Sequence, residues 1–232
     1  MTELEYREKR EKYREKALSL MASGVNFVDI ESVYIDDTVE IGQGSFIGPC
    51  VTLEGNTTLG DNCSIYQNTR IVDSVIGEGT QVQGSVIISS EVGSNTSIGP
   101  FAYVRPGSKI GNNCKIGDFV EVKNSTIGDG TKSAHLTYIG DADLGKDINL
   151  GCGVVFVNYD GKNKYRSTVG DGAFIGCNSN IVSPVNIQEG AYIAAATTVT
   201  KDVPKDSLAI GRSKQENLEG WAEKAGLYKK KK

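Results

Sequence analysis

Isoleucine or leucine occupies every sixth position from 35 to 71: Ile35, Ile41, Ile47, Leu53, Leu59, Ile65 and Ile71. At 38% hydrophobic composition, seven such matches in a row have a chance probability of roughly one in a thousand. The beat returns at Ile98, Val104, Ile110, Ile116 and Val122, and again at Val169, Ile175, Ile181, Ile187, Ile193 and Val199. Six is neither the helical period of 3.6 nor a plain two-residue alternation. It predicts a solenoid of short parallel strands, one hexapeptide per strand and three strands per coil.

Four places after each beat the residue is small or branched, as at Ser45, Val51, Thr57, Cys63 and Thr69, then Ala102, Ser108, Cys114 and Val120, then Ala173, Ser179, Val185, Ala191 and Thr197. One large and one small inward residue per strand fill a narrow triangular core to the density that close packing requires. Glycine often follows the beat (Gly42, Gly48, Gly60, Gly99, Gly111, Gly117, Gly176), where the chain turns a corner. Beats five apart, at Ile71 to Ile76, Val122 to Ile127 and Ile139 to Leu144, require adjusted corners.

Residues 1–23 break the pattern. They are dense in Glu, Lys and Arg and place Tyr6, Tyr13, Ala17, Leu20 and Met21 on or near one face at helical spacing. Gly24 is the predicted stop. This reads as an amphipathic helix packed on the first coil or on a neighbouring subunit. The domain reading is a helix over 1–23, a β-helix over 24–210 and a tail over 211–232 that carries the sole tryptophan, Trp221. One interruption falls between Phe156 and Val169, where 158–166 is polar, aromatic and turn-prone. A loop thrown out of a regular solenoid is a place where function concentrates.

Composition narrows the field. Five cysteines without metal-ligand spacing argue for a reducing compartment, with Cys63 and Cys114 as core thiols. No apolar run approaches ~18 residues and no signal-peptide pattern opens the chain, so a cytoplasmic location and no membrane partner are expected. A net charge of −4 gives no general attraction to nucleic acid, and the basic run Lys229 to Lys232 reads as a solvated tail.

His135 is the only histidine. With no second histidine and no cysteine cluster, a metal site is not expected. The segment around it, His135-Leu136-Thr137-Tyr138-Ile139-Gly140-Asp141-Ala142, occurs in one order with Arg105-Pro106-Gly107, Glu121-Val122-Lys123, Asn149-Leu150-Gly151-Cys152-Gly153, Asn158-Tyr159-Asp160-Gly161, Gly176-Cys177-Asn178 and Ile210-Gly211-Arg212. Together these resemble the acetyltransferase half of the bifunctional N-acetylglucosamine-1-phosphate uridyltransferase/glucosamine-1-phosphate acetyltransferase family, over essentially the whole chain. The left-handed sense of the expected parallel β-helix comes from that resemblance, because handedness is not legible in a period. The glycine-rich signature of the nucleotidyltransferase half appears nowhere in the sequence, so uridyl transfer is not expected of this chain.

The resemblance implies acetyl transfer from acetyl-CoA to the amine of glucosamine 1-phosphate, with His135 as the base. An imidazole suits proton removal near neutral pH. It implies sugar-phosphate contacts at Arg105, Lys123, Tyr138 and Asn149, joined by Lys164 on the outward loop, since phosphate favours cationic and hydroxyl donors. Glu121 is either an orienting group for the amine or His135, or an exposed strand carboxylate. The acetyl-CoA side maps onto Cys152, Asn158, Tyr159, Cys177, Ala195 and Arg212, with a backbone N–H near Cys152 facing the thioester oxygen and Arg212 meeting a CoA phosphate. Many relatives have alanine at Cys152, threonine at Val154 and serine at Cys177. Cys152 therefore raises a covalent acetyl-cysteine alternative, although direct transfer needs no nucleophile. The resemblance further implies a homotrimer that completes each site between neighbouring β-helices, with a separate uridyltransferase as a second candidate partner. The competing readings are an enzyme of the same fold acting on another, nucleotide-linked amino sugar, and a non-catalytic trimeric partner of a nucleotidyltransferase.

Overall fold

In the computed structural model, which describes residues 2–227, the hexapeptide beat becomes a left-handed parallel β-helix of about ten turns behind one N-terminal helix. Three flat walls form a triangular prism. Wall A has 11 strands, wall B 10 and wall C 9, and the chain visits A, B and C in that order in each coil. Strands of only two to four residues pair in parallel with those one coil away, as Phe46–Ile47 does with Ser64–Ile65. The basic run at 229–232 lies outside the described residues.

The beat residues fill the axis. Ile35, Ile47, Leu53, Ile65, Ile71, Val104, Ile116, Val122, Ile175 and Ile181 are fully buried, and Cys63 and Cys114 sit among them as core thiols. The small inward positions carry hydroxyls that would be costly if left unpaired, and they are paired. Thr80 Oγ1 donates to the Gly93 carbonyl at 2.7 Å and accepts from the Thr96 amide, and Thr96 Oγ1 accepts in turn from the Cys114 amide. Ser133 is the exception among the described residues. It takes a beat position between Ile116 and Leu150, and its buried hydroxyl has no partner.

The corners follow the spacing. Where beats stand five apart, a single residue in the left-handed region turns wall B into wall C: Asp73 (φ 45°), Ser89 (φ 44°), Asn124 (φ 46°) and Asp141 (φ 50°). Short polar side chains tolerate that conformation better than bulky ones. The last two of these corners reappear in the site.

Helix α1 (Glu3–Ala22) starts with a capping box: the Glu5 amide donates to Thr2 Oγ1, and the Thr2 amide donates to the Glu5 carboxylate. It ends where Gly24, at φ +98°, donates to the Met21 carbonyl while the Val25 amide donates to Leu20, a Schellman stop that needs glycine's freedom. Ala17 and Leu20 are buried, and Tyr13 packs edge-on against Tyr34 at 5.6 Å. The buried face is narrower than the spacing predicts, because Tyr6 and Met21 stay exposed. No helix among the described residues is long and apolar enough to cross a membrane.

Candidate active site

Most of the residues singled out by sequence lie on the coils that follow Tyr103, along wall B and along the edge where wall A turns into wall B. Strands Lys115–Asp118 and Lys132–His135 pair in wall A with Asp118 and His135 as direct neighbours. His135 Nδ1 and Asp118 Oδ1 are 2.6 Å apart. With the neutral ring, that contact places the proton on Nδ1 and leaves the Nε2 lone pair free to accept another. The imidazole is 58% exposed, so Nε2 is reachable from solvent. The His135 carbonyl accepts from Thr137 Oγ1 at 2.8 Å and from the Gly153 amide at 3.3 Å, which fixes the backbone under the ring.

Wall B carries the cations. Strands Tyr103–Val104, Glu121–Lys123, Tyr138–Gly140 and Val155–Val157 are successive neighbours, with Glu121 opposite Tyr138. Arg105, just beyond the first of them, donates to Glu121 Oε1 at 2.8 Å across a partly exposed surface. Glu121 is therefore the partner of Arg105 here and makes no hydrogen bond or ion pair with His135. Lys123 donates to Asp141 Oδ2 at 2.9 Å, and this pair is largely enclosed. Asn124 donates to Asp141 Oδ1 at 2.6 Å and Asn158 to Oδ2 at 2.5 Å, while the Asn158 amide also reaches the Tyr138 hydroxyl at 3.4 Å. Burial disfavours the charged form of Asp141, but donation from Asn124, Lys123 and Asn158 outweighs it and holds the carboxyl below its ordinary value.

The outward excursion at 158–166 leaves from the wall B–wall C corner and is closed on itself. The Tyr165 amide donates to the Asn158 carbonyl, Tyr159 and Lys164 form an antiparallel bridge, and the Lys162 and Asn163 amides donate to Asp160 Oδ1. Arg166 pins its far end with two 2.6 Å contacts to the Asp143 carboxylate and a third to the Asn124 carbonyl. That guanidinium holds the Asp143 carboxyl below its ordinary value.

Three of the six expected acetyl-CoA positions, Cys152, Cys177 and Ala195, fall into one column with Asp118 and His135. Asp118, His135, Cys152, Cys177 and Ala195 each occupy the residue before the left-handed corner residue (Phe119, Leu136, Gly153, Asn178, Ala196) in successive coils of the A–B edge. The corner amides knit the column together: Leu136 donates to Asp118, Gly153 to His135, Asn178 to Cys152 and Ala196 to Cys177. Among the described residues no acceptor faces the backbone amides of Cys152, Cys177 and Ala195, which leaves three successive donors beyond His135. Arg212 Nη1 ends the column by donating to the Ala195 carbonyl at 2.6 Å.

One chain does not bring the whole set together. Arg105, Lys123, Tyr138 and Asn158 share wall B, and Cys152, Cys177, Ala195 and Arg212 follow the edge. Asn149 lies on wall A between Lys132 and Phe174, and Tyr159 and Lys164 are on the excursion. The side chain of Asn158, read as a donor-side contact, is engaged with Asp141 on the acceptor side. A wide depression lies elsewhere, on wall C, among Glu91, Lys109, Asp129 and Lys146. Its charges pair with one another, at 2.8 Å for Lys109–Glu91 and 3.9 Å for Lys146–Asp129.

Sequence reading missed Asp118, Asn124, Asp141 and the Arg166–Asp143 clamp. The signal available was the coil length. Asp118 precedes His135 by 17 residues and Asp141 follows Lys123 by 18, one turn in each case.

Comparison with known proteins sets this geometry in context. The family described as bacterial transferase hexapeptide (six repeats) matches residues 89–124, and the GMPPB C-terminal domain matches residues 29–105. The bifunctional protein GlmU of Clostridium botulinum (strain 657 / Type Ba4) is 57% identical over 210 residues, 90% of this chain and 46% of that protein. The protein of the same name from Alkaliphilus metalliredigens (strain QYMF) is 51% identical with the same shares. The chain thus spans about half the length of the curated relatives it matches. Among solved structures, a UDP-N-acetylglucosamine acyltransferase from Arabidopsis has a TM-score of 0.57 at 22% identity, covering 85% of this chain and 76% of that one. One from Campylobacter jejuni has a TM-score of 0.52 at 22% identity, covering 76% and 71%. At that identity the likeness bears on fold alone.

Proposed function

Because the chain is 57% identical to a bifunctional protein GlmU over 90% of its own length, we propose that it is an acetyl-CoA-dependent N-acetyltransferase acting on glucosamine 1-phosphate. The observation that carries the reading is the Asp118–His135 pair at the head of an edge lined with unpaired backbone donors. A base and a row of amides are what acyl transfer from a thioester requires.

In this mechanism the acceptor amine attacks the thioester carbonyl while His135 Nε2 takes its proton. Asp118 holds the ring and stabilises the imidazolium that forms. The oxygen of the tetrahedral intermediate gains negative charge near the Cys152 amide. Collapse breaks the C–S bond, and His135 returns its proton to the departing CoA sulfur, so the base is regenerated. Cys152 acts through its backbone in this scheme and no acetyl-cysteine is formed.

Wall B supplies the acceptor pocket. The substrate phosphate takes Arg105 from the exposed Glu121, which frees a carboxylate to meet the ammonium form of the incoming amine. Lys123 keeps Asp141 as a fixed counter-ion and presents its remaining donors. Asn149 and Lys164 lie on other surfaces of the same chain, which supports a homotrimer in which neighbouring prisms complete each site.

The reading is tested by incubating the protein with acetyl-CoA and glucosamine 1-phosphate and identifying the product by NMR. A new amide on the C2 nitrogen is expected. No acetylation of any amino-sugar 1-phosphate would overturn it.

A further inference from the structure

Two of the five thiols occupy matching corners of adjacent coils, which the acetyl-transfer scheme does not use. Strands Asn149–Leu150 and Phe174–Ile175 pair in parallel, with Asn149 opposite Phe174 and Leu150 opposite Ile175. The same register persists through the turn that follows. The Gly151 amide donates to the Ile175 carbonyl at 2.8 Å, and the Asn178 amide donates to the Cys152 carbonyl at 2.8 Å. Two residues beyond Leu150 and Ile175, that register sets Cys152 directly beside Cys177.

Neighbouring strands lie about 4.7–4.9 Å apart, inside the ~4.4–6.8 Å window of Cα separations that a disulfide spans. Both cysteines are in turns, outside the regular ladder. The Cys177 sulfur leans toward the lower coil: a Cβ placed on Gly151 would lie 2.9 Å from Cys177 Sγ and 2.6 Å from the Cys177 amide nitrogen. Gly151 therefore has no room for a side chain, because Cys177 of the next coil fills the space over it.

The remaining thiols differ. Cys63 and Cys114 are buried, and burial pushes both thiols above their ordinary value, which suits inert core residues. Cys50 is exposed but follows the second strand of wall A, whereas Cys152 follows the eighth. Six strand spacings, about 29 Å, separate those two. Cys177 is exposed and Cys152 half-buried, so this pair combines access with proximity.

We infer that Cys152 and Cys177 form a dithiol modification site that low-molecular-weight disulfides close into an intramolecular disulfide on the A–B edge. One cysteine, deprotonated, attacks a sulfur of the small disulfide. Its S–S bond breaks, and the first small thiol leaves with the electron pair and takes up a proton. The second cysteine then attacks the mixed disulfide and releases the second small thiol. Two protein thiols are oxidised and one small disulfide is reduced to two thiols, so atoms and electrons balance. The pairing stands on geometry alone, whereas its effect on turnover rests on the acetyl-CoA reading of this edge. A bridge would tie together the two corners whose amides lie next above His135, and so obstruct the thioester.

The test uses the full chain with oxidised glutathione as the probe. After alkylation of free thiols, trypsin cleaves at Lys162, Lys164 and Arg166 and puts the two cysteines on separate peptides. The expected result is a linked pair of peptides joined through Cys152 and Cys177, absent in Cys152→Ser. A fall in turnover of at least about tenfold, reversed by dithiothreitol, accompanies it, and Cys50→Ser gives the same linkage and fall as the wild type. Glutathione adducts on single cysteines without a linked pair would overturn the inference. A linked pair with undiminished turnover would leave the dithiol standing and sink the donor-edge reading. If the untreated protein acetylates nothing, the proposed function fails while the peptide map still decides the pairing.

Discussion

At the scale of single residues, the reading depends on one imidazole and the carboxylate beneath it. His135→Ala is expected to lower kcat by ~10²–10⁴ while leaving acetyl-CoA binding, measured by calorimetry, close to wild type. Retention of more than about a tenth of the wild-type kcat would remove His135 from the role of base. Asp141 makes a different kind of prediction, about stability. Its carboxyl titrates below the ordinary 3.8 in the folded chain, because three donors outweigh the cost of burial. A depressed value contributes stability that is present above the unfolded value and is lost as pH falls through the folded one. Asp141→Asn should therefore be less stable than wild type by about 1–3 kcal/mol at pH 7. That gap should narrow below about pH 4, where the wild type loses the contribution and the variant has none to lose. Urea midpoints at pH 7, 4 and 3 check this, and a gap that widens on acidification would contradict the assignment.

At the scale of elements, the excursion at 158–166 is held by its ends. Arg166 joins it to Asp143 through two partly exposed contacts, an interaction that adds little to global stability. Arg166→Ala is accordingly expected to shift the melting temperature slightly while raising KM for the sugar phosphate severalfold and increasing proteolytic cleavage within the excursion. Unchanged KM would mean that Lys164 takes no part in the acceptor pocket. The elements also show what the sequence made legible. Ile35 through Ile71 set out the coils because each beat buries the same kind of side chain in the same place, and His135, Arg105 and Lys123 stood out by type and context. Asp118, Asn124 and Asp141 did not, since an aspartate or asparagine at a turn is ordinary and its meaning depends on what stands one coil below. Asp141 in particular is a corner residue required by a five-residue spacing, and only stacking turns it into the counter-ion of Lys123. The helix leaves Tyr6 and Met21 exposed for a related reason: helical spacing says which residues share a side, not how far the coil beneath them extends.

At the scale of the whole molecule, a prism has flat walls and open edges, and the proposed substrate contacts are spread over two walls, an edge and an excursion. Light scattering in dilute buffer is expected to give a mass near three chains. A catalytically competent monomer would contradict a site shared between copies. The arrangement of cations on wall B then makes the sharpest demand on specificity, since Arg105 and Lys123 already hold carboxylates and only an anionic group on the acceptor has reason to compete for them. The most direct test of the central claim is the ratio of kcat/KM for glucosamine 1-phosphate to that for free glucosamine, measured with acetyl-CoA as donor. One lost charge-assisted contact of about 1.5–3 kcal/mol corresponds to at least a tenfold difference. A ratio above about 10 is predicted, falling by about tenfold or more in Arg105→Ala. A wild-type ratio near one, or acetylation of neither compound, would contradict it.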